Sequence, residues 1–339
     1  MPALRDLLDD LPAADDAARS AVATRATEVL RPVGALARLD AVAAWAAGWQ
    51  RTVTPAVERP AALVFAADHG VAAAGVSAYP PDVTAAMVQA FDRGVATMTV
   101  FARHVGAAVS VVDVGVGRPT ADLRHEPALD AGRFDATVDA AAAAVDALDT
   151  DLLVLGELGI GNTTAASALS AVLLGGDPAS WVGRGTGIDD DGLARKASAV
   201  ADAVARVDLL EAAVRRDPIE MLRHVGGAEL VGMAAAIVAA RRRGLPVVLD
   251  GFICTAAALP LELAVPGALD HCVVGHRSAE PGHRRLLDRL GAAPLLDLDL
   301  RLGEGSGAMA AVPLIRLACA GVVEVETFTE FFGSSSEGG

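Results

Sequence analysis

Lysine, tyrosine and asparagine are almost missing from this sequence: of 28 basic residues only Lys196 is a lysine, and Tyr79 and Asn162 are the single members of their types. Positive charge is scarce as well, and 43 acidic against 28 basic residues leave a formal net charge of -15. Such a chain repels phosphate backbones and anionic lipid, which argues against nucleic acid or a membrane surface as partner. The three cysteines, Cys254, Cys272 and Cys319, are odd in number and lie in apolar stretches. They exclude a disulfide framework or a cysteine metal site and predict buried free thiols in a reducing compartment. Met1 is not followed by a basic and then apolar leader, and no uninterrupted apolar run reaches the roughly 18 residues of a membrane span, so a cytoplasmic chain is expected. What is present is 339 residues, 53% of them hydrophobic, enough for one large core with or without a satellite.

Short β-rich apolar runs recur at 62–66, 107–113, 151–155, 246–249, 271–274 and 294–298, mostly separated by alanine-rich stretches with helical spacing. That alternation predicts a Rossmann-like parallel sheet flanked by helices. Polar or glycine-rich residues follow the runs, including Asp68-His69-Gly70, Gly156-Glu157, Asp250-Gly251, Gly275-His276 and Gly303-Glu304. Open α/β sheets bind ligands at the carboxyl ends of their strands. The first 50 residues have no strand pattern, but Leu36, Leu39, Val42 and Trp45 recur every third residue, and 305–325 is a second apolar helical stretch. The expected division is therefore a large α/β domain over 51–304 and a small helical domain built from both chain ends, 1–50 plus 305–339. The glycine- and serine-rich tail from Gly333 to Gly339 is expected to be solvated and mobile.

Three glycine-rich segments carry the chemistry. The first, Gly156-Glu157-Leu158-Gly159-Ile160-Gly161-Asn162-Thr163-Thr164, joins an apolar run to a helical stretch. Glycines let the backbone approach an anion, and a helix N-terminus supplies free N–H groups, so phosphate binding competes here with a plain strand-to-helix turn capped by Asn162 or Thr163. It is not a Walker A loop, since no Gly-Lys-Ser/Thr follows. The second, Gly183-Arg184-Gly185-Thr186-Gly187, leads through three aspartates, better read as helix caps than as a metal site, to the solitary Lys196. Choosing lysine once in an arginine-rich chain suggests a compact ammonium placed against a carboxylate or phosphate. In the third, Leu302-Gly303-Glu304-Gly305-Ser306-Gly307, a carboxylate stands between glycines near a strand end. Partly desolvated, it would have a raised pKa and suit a proton acceptor, against the alternative of a turn or capping glutamate. His276, Glu280 and His283 have zinc-like spacing, but Pro281-Gly282 interrupts the helix that would align them, so no metal is expected. Asp68 and His69 with Ser77 suggest a hydrolase triad, but no nucleophile elbow supports one.

Taken in order, these segments resemble the nicotinate-nucleotide:dimethylbenzimidazole phosphoribosyltransferase family. The resemblance is carried by Arg31-Pro32 with Gly34, Leu36 and Leu39, and then by 65–71, 75–80 and Val83-Thr84 with Met87. It continues through 156–164, 183–196, 226–230, 249–251, 275–283 and 301–307. It implies transfer of phosphoribosyl from nicotinate mononucleotide to a benzimidazole nitrogen, without metal or cofactor, in a homodimer. By that resemblance Glu304 is the base, and Glu157 lies by the ribose. Gly159, Gly161, Asn162 and Thr163 surround the phosphate, Gly185, Gly187 and Lys196 hold an anionic group, and Ser77, Tyr79 and Leu302 line the aromatic base. Two departures fall near the base pocket. Ala86 replaces the glutamine of the family's Val-Thr-x-Gln-Met, and Gly94-Val-Ala-Thr-Met-Thr99 replaces Gly-Gly-Ala-Ala-Ile-Asn. Ala86 is thereby expected among the base-binding residues, and another azole or a phenol is the alternative acceptor, with a non-catalytic nucleotide binder as the rival class.

Overall fold

A computed structural model describes residues 2–333; the tail expected to be solvated lies, apart from Gly333, outside the described residues. Helices α1 (Pro2–Leu8), α2 (Asp16–Glu28) and α3 (Ala37–Gln50) precede β1 (Pro60–Ala67), followed by α4 (Val83–Asp92), α5 (Thr97–Val105) and β2 (Ala108–Gly115). Next come α6 (Ala131–Asp146), β3 (Leu152–Leu158), α7 (Asn162–Leu174), α8 (Asp190–Asp208), α9 (Ala212–Arg215), α10 (Pro218–Val225), α11 (Ala228–Arg242) and β4 (Val247–Leu249). The described chain ends with α12 (Phe252–Ala264), β5 (Cys272–Val274), α13 (Pro281–Leu290), α14 (Ser306–Val323) and α15 (Phe328–Gly333).

Five of the six apolar runs become strands, all parallel, in the order β2-β1-β3-β4-β5. The sixth, 294–298, falls short of a strand and pairs through a single bridge, His276 with Leu296. Its Pro294 has no N–H to donate, and Asp297 and Asp299 suit turns better than a ladder. Both β1 and β3 are buried along their whole length, as central strands covered on two faces must be. Their side chains alternate between two cores. Leu63, Phe65 and Ala67 join one with α6, α7, α10, α11 and α12, while Ala62, Val64 and Ala66 join the other with α2, α3, α5 and α14. From β1 the chain goes outward to β2, then returns to the other side of β1 as β3. The switch point therefore lies between β1 and β3, where Phe65 stands beside Glu157 in register, and this is the crevice in which doubly wound sheets bind ligands.

Helices from the two chain ends do meet: α3 packs on α2 and α14, and Val29 bridges Thr327. Their core is shared with the sheet, since Met309, Val312 and Ile315 of α14 join Val154 and Val248. The first helix departs from the expected grouping, because α1 packs on α6 and α11 across the opposite face. Although no uninterrupted apolar run in the sequence reaches a membrane span, the 18 residues of α14 are long and apolar enough to cross a membrane. Pro313 and Arg316 break the run in sequence, but Arg316 ties back to the Val57 and Val105 carbonyls and more than half of the helix is buried within the fold. Such burial is what a core helix requires.

Candidate active site

At the carboxyl ends of β3, β4 and β5 lies a cavity of about 970 Å³. It receives all three glycine-rich segments, the loop 76–79, one face of α4 and the strand-end residues Asp250 and His276.

Glu304 occupies the strained point of this wall. Gly303, Glu304 and Gly305 have φ of 84°, 65° and 82°, three successive residues in the left-handed region. Glycine enters that region without cost, whereas a residue with a Cβ held there stores about 1–3 kcal/mol that the surroundings must supply. Part of that support is direct contact with the sheet, because a Cβ on Gly156 of β3 would come within 2.5 Å of the Glu304 carbonyl oxygen. The rest comes from Asp250 at the end of β4: Oδ1 accepts the Ala308 N–H at 2.8 Å and Oδ2 the Gly305 N–H at 3.3 Å, so one buried carboxylate caps α14 and fixes the loop. Glu304 is 8% exposed, and its Oε2 is buried without a hydrogen-bond partner. Burial and the charge of Asp250 push its pKa up against a hydrogen bond from the Met98 backbone, so it holds a proton more readily than an exposed glutamate.

Glu157, near the end of β3, is buried and accepts a hydrogen bond from Asn162 Nδ2. Burial, then Asp250, Glu229 and Glu304, drive its pKa well above the ordinary carboxylate range, opposed by the hydrogen bond from Asn162. Beneath the same loop, His69 Nε2 and Glu229 Oε1 meet at 2.5 Å with both side chains fully buried. This pair, rather than a hydrolase triad, accounts for His69; Ser77 instead meets Thr186 Oγ1 at 3.1 Å. His276 lies 3.3 Å from Asp250. Burial alone would lower its pKa, but the hydrogen bond and charge of Asp250 prevail and raise it.

The two remaining glycine loops face one another across Thr163. Gly161, in the left-handed region at φ 100°, starts α7 and places Asn162 and Thr163 in its first turn. Thr84 Oγ1 of α4 accepts the Ile160 N–H at 3.2 Å. Lys196, 1% exposed, donates to Thr163 Oγ1 at 2.8 Å and to the Gly183 carbonyl at 3.1 Å, so it ties one loop to the other from behind. Burial lowers its pKa to about 8, opposed by Glu280. Asp189 caps α8 by accepting the Gly192 N–H, in keeping with a capping role for the aspartate run.

The cavity wall therefore contains Ser77, Tyr79, Glu157, Gly159, Gly161, Asn162, Thr163, Gly185, Leu302 and Glu304, while Lys196 lies behind Thr163 and Gly187 is outside the wall. Tyr79 and Leu302 are each 54% exposed, apolar surface available at the opening. Ala86 is a correction. It is exposed on α4, and the helical period turns Val83, Thr84, Met87 and Ala90 to the cavity instead. His283 is a core residue, with Nδ1 accepting the Ser278 N–H and Nε2 at 3.0 Å from Thr255, and no cluster able to hold a metal ion exists among the described residues. Asp250, His276, Thr84 and Met87 belong to the site although no role was expected for them. For Asp250 and His276 the signal was their position directly after strands.

Residues 11–331 match the family described as phosphoribosyltransferase. The sequence is 45% identical over 339 residues to the nicotinate-nucleotide--dimethylbenzimidazole phosphoribosyltransferase of Methylocella silvestris, covering 100% of this chain and 98% of that protein. It is 47% identical over 326 residues to the enzyme of the same name from Ruegeria pomeroyi, covering 96% and 95%. Among solved structures, CobT from Thermus thermophilus superposes with a TM-score of 0.87 at 43% identity, covering 93% of this chain and 98% of that one.

Proposed function

Because the chain belongs to the phosphoribosyltransferase family it matches over residues 11–331, we propose that it moves the phosphoribosyl group of nicotinate mononucleotide to a benzimidazole-type base, giving α-ribazole 5′-phosphate and nicotinate. One observation carries the assignment of roles: a strained glutamate with an unpartnered buried oxygen shares a cavity with two glycine loops tied together by a buried lysine.

The chemistry suits these groups. In the mononucleotide the pyridinium nitrogen already carries positive charge, so the C1′–N bond breaks with its electron pair going to the ring, and nicotinate leaves without a general acid. The benzimidazole lone pair attacks C1′ from the opposite face, which inverts the anomeric centre. Its other nitrogen must then lose a proton, and Glu304 Oε2 is the acceptor, a contribution of about a hundred- to ten-thousand-fold for a placed general base. Glu157, held by Asn162, packs beside the ribose. The first turn of α7 with Gly159, Gly161, Asn162 and Thr163 holds the phosphate, using the helix N-terminus and its dipole. Gly185, Gly187 and Lys196 hold an anionic group of the nucleotide, and Ser77, Tyr79 and Leu302 line the base. No cofactor enters this scheme. A large α/β domain carrying the loops, a small domain of chain-end helices, a homodimer and a cytoplasmic setting complete the proposal.

Incubating the purified protein with nicotinate mononucleotide and a panel of benzimidazoles, purines and phenols, and following nicotinate release, tests it. Release is expected with at least one benzimidazole. Release with phenols alone would move the acceptor to that class, and none with any acceptor would leave only a nucleotide binder.

A further inference from the structure

Glu280 has no part in that reaction, yet it sits in the cavity wall. It is the residue before α13, and its Oε1 accepts the Gly185 N–H at 3.0 Å. Its Oε2 is buried without a partner and is pressed so closely against Gly183 that a Cβ there would collide with it. A backbone donor of the second glycine loop is thus already occupied by a carboxylate of the protein itself. Lys196 fastens the same loop at the Gly183 carbonyl. Of the groups that face this lysine, Thr163 of α7 and the Gly183 carbonyl are neutral. The nearby cations turn elsewhere, Arg195 to the Gly75 carbonyl and Arg184 to Ile188 and Asp190. Glu280 is the charge that acts on it.

We infer that Glu280 is a resident anion of the second glycine loop, holding Gly185 and balancing Lys196 until a tetrahedral oxyanion of the ligand competes with it for both. The inference rests on the assignment of that loop to an anionic group. It has two consequences of opposite sign. Removing the carboxylate relieves like-charge repulsion on the incoming anion, so binding tightens while Lys196 is protonated. The same removal takes away the group that opposes burial, so the lysine, which titrates at about 8 with Glu280 in place, loses its proton at a lower pH.

Calorimetric titration with sulfate, whose charge is constant between about pH 6 and 9, separates these effects in the wild type, Glu280→Gln and Glu280→Asp. At about pH 6.5 Glu280→Gln should bind sulfate roughly three- to tenfold more tightly than the wild type, the effect of one like charge removed at intermediate dielectric. Its affinity should then decline at a lower pH than in the wild type, while Glu280→Asp, which keeps the charge, declines where the wild type does. Equal or weaker binding by Glu280→Gln at pH 6.5, or a profile that overlays the wild type, overturns the inference. If that variant does not fold, Glu280→Asp decides: a decline displaced from the wild-type pH overturns the inference, and a coincident one upholds it. Wild-type protein that binds neither sulfate nor nicotinate mononucleotide would instead remove the anion loop itself, and Glu280's role with it.

Discussion

The two ends of the cavity are built on different principles. At one end Asp250 and Glu304, with Glu229 of α11 behind them, crowd around Glu157 and raise the cost of ionising it, and Glu304 Oε2 is the unpartnered atom proposed to act there. At the other end the proposed anion site is spread over two glycine loops, a helix N-terminus and one lysine that reaches them from behind. Concentrated function should be lost by one change, whereas distributed function should erode. Glu304→Gln is the sharpest test of that contrast. It should lower kcat by about a hundred- to ten-thousand-fold while nicotinate mononucleotide still binds, measured by nicotinate release and calorimetry. Turnover that stays unchanged would take proton transfer away from Glu304.

The acidic end also fixes how activity depends on pH. Glu304 accepts a proton only when ionised, and burial with Asp250 raises its pKa above 4.5. Activity is therefore complete above the raised pKa and is lost as pH falls through it, so the acid limb of kcat should lie on the alkaline side of an ordinary glutamate. An acid limb at or below pH 4.5 would contradict that surrounding.

A change beneath the base should cost less than losing it. Gly156→Ala places a methyl group 2.5 Å from the Glu304 carbonyl, which is backbone and cannot swing aside. The loop must shift, with an expected loss of about 1–3 kcal/mol in stability and at least tenfold in kcat. Wild-type kcat with normal thermal unfolding would show that the loop does not depend on that contact. At the distributed end, Lys196→Ala should raise the Kd for nicotinate mononucleotide by about ten- to a hundredfold, the value of a charge-assisted hydrogen bond, with a smaller effect on kcat. A larger effect on kcat than on binding would make the anion end as concentrated as the acidic one.

The same contrast explains what was legible in the sequence. The proposed anion end is local: Gly159, Gly161, Asn162 and Thr163 fall within five consecutive residues, and Lys196 stands out because it is solitary. Glu304 was legible for the same reason, framed by glycines that themselves take the left-handed backbone. What escaped depends on convergence. Asp250 gains its role only when β4 ends beside the loop that begins α14, 55 and 58 residues later in the chain. The buried His69–Glu229 pair joins residues 160 apart. No spacing rule connects such positions before the order β2-β1-β3-β4-β5 is known.

Ala86 provides the smallest effect and the last test. Replacing the family's glutamine by alanine pointed to an altered base pocket, but a substitution changes recognition only if the side chain faces the ligand. On α4 the residues that face the cavity are Val83, Thr84, Met87 and Ala90, and Ala86 lies about 100° around the helix from its neighbour Met87, on the exposed side. Restoring Ala86→Gln should therefore change the ratio of kcat/KM between dimethylbenzimidazole and a purine by less than about twofold, as surface substitutions away from contacts do. Met87→Ala, which removes a flexible apolar side chain from the wall, should change that ratio by about tenfold, the usual value of pocket methylenes in discrimination. The reverse ranking would mean that a glutamine reaches around α4 into the pocket, and the departure at 86 would then be what sets the accepting base.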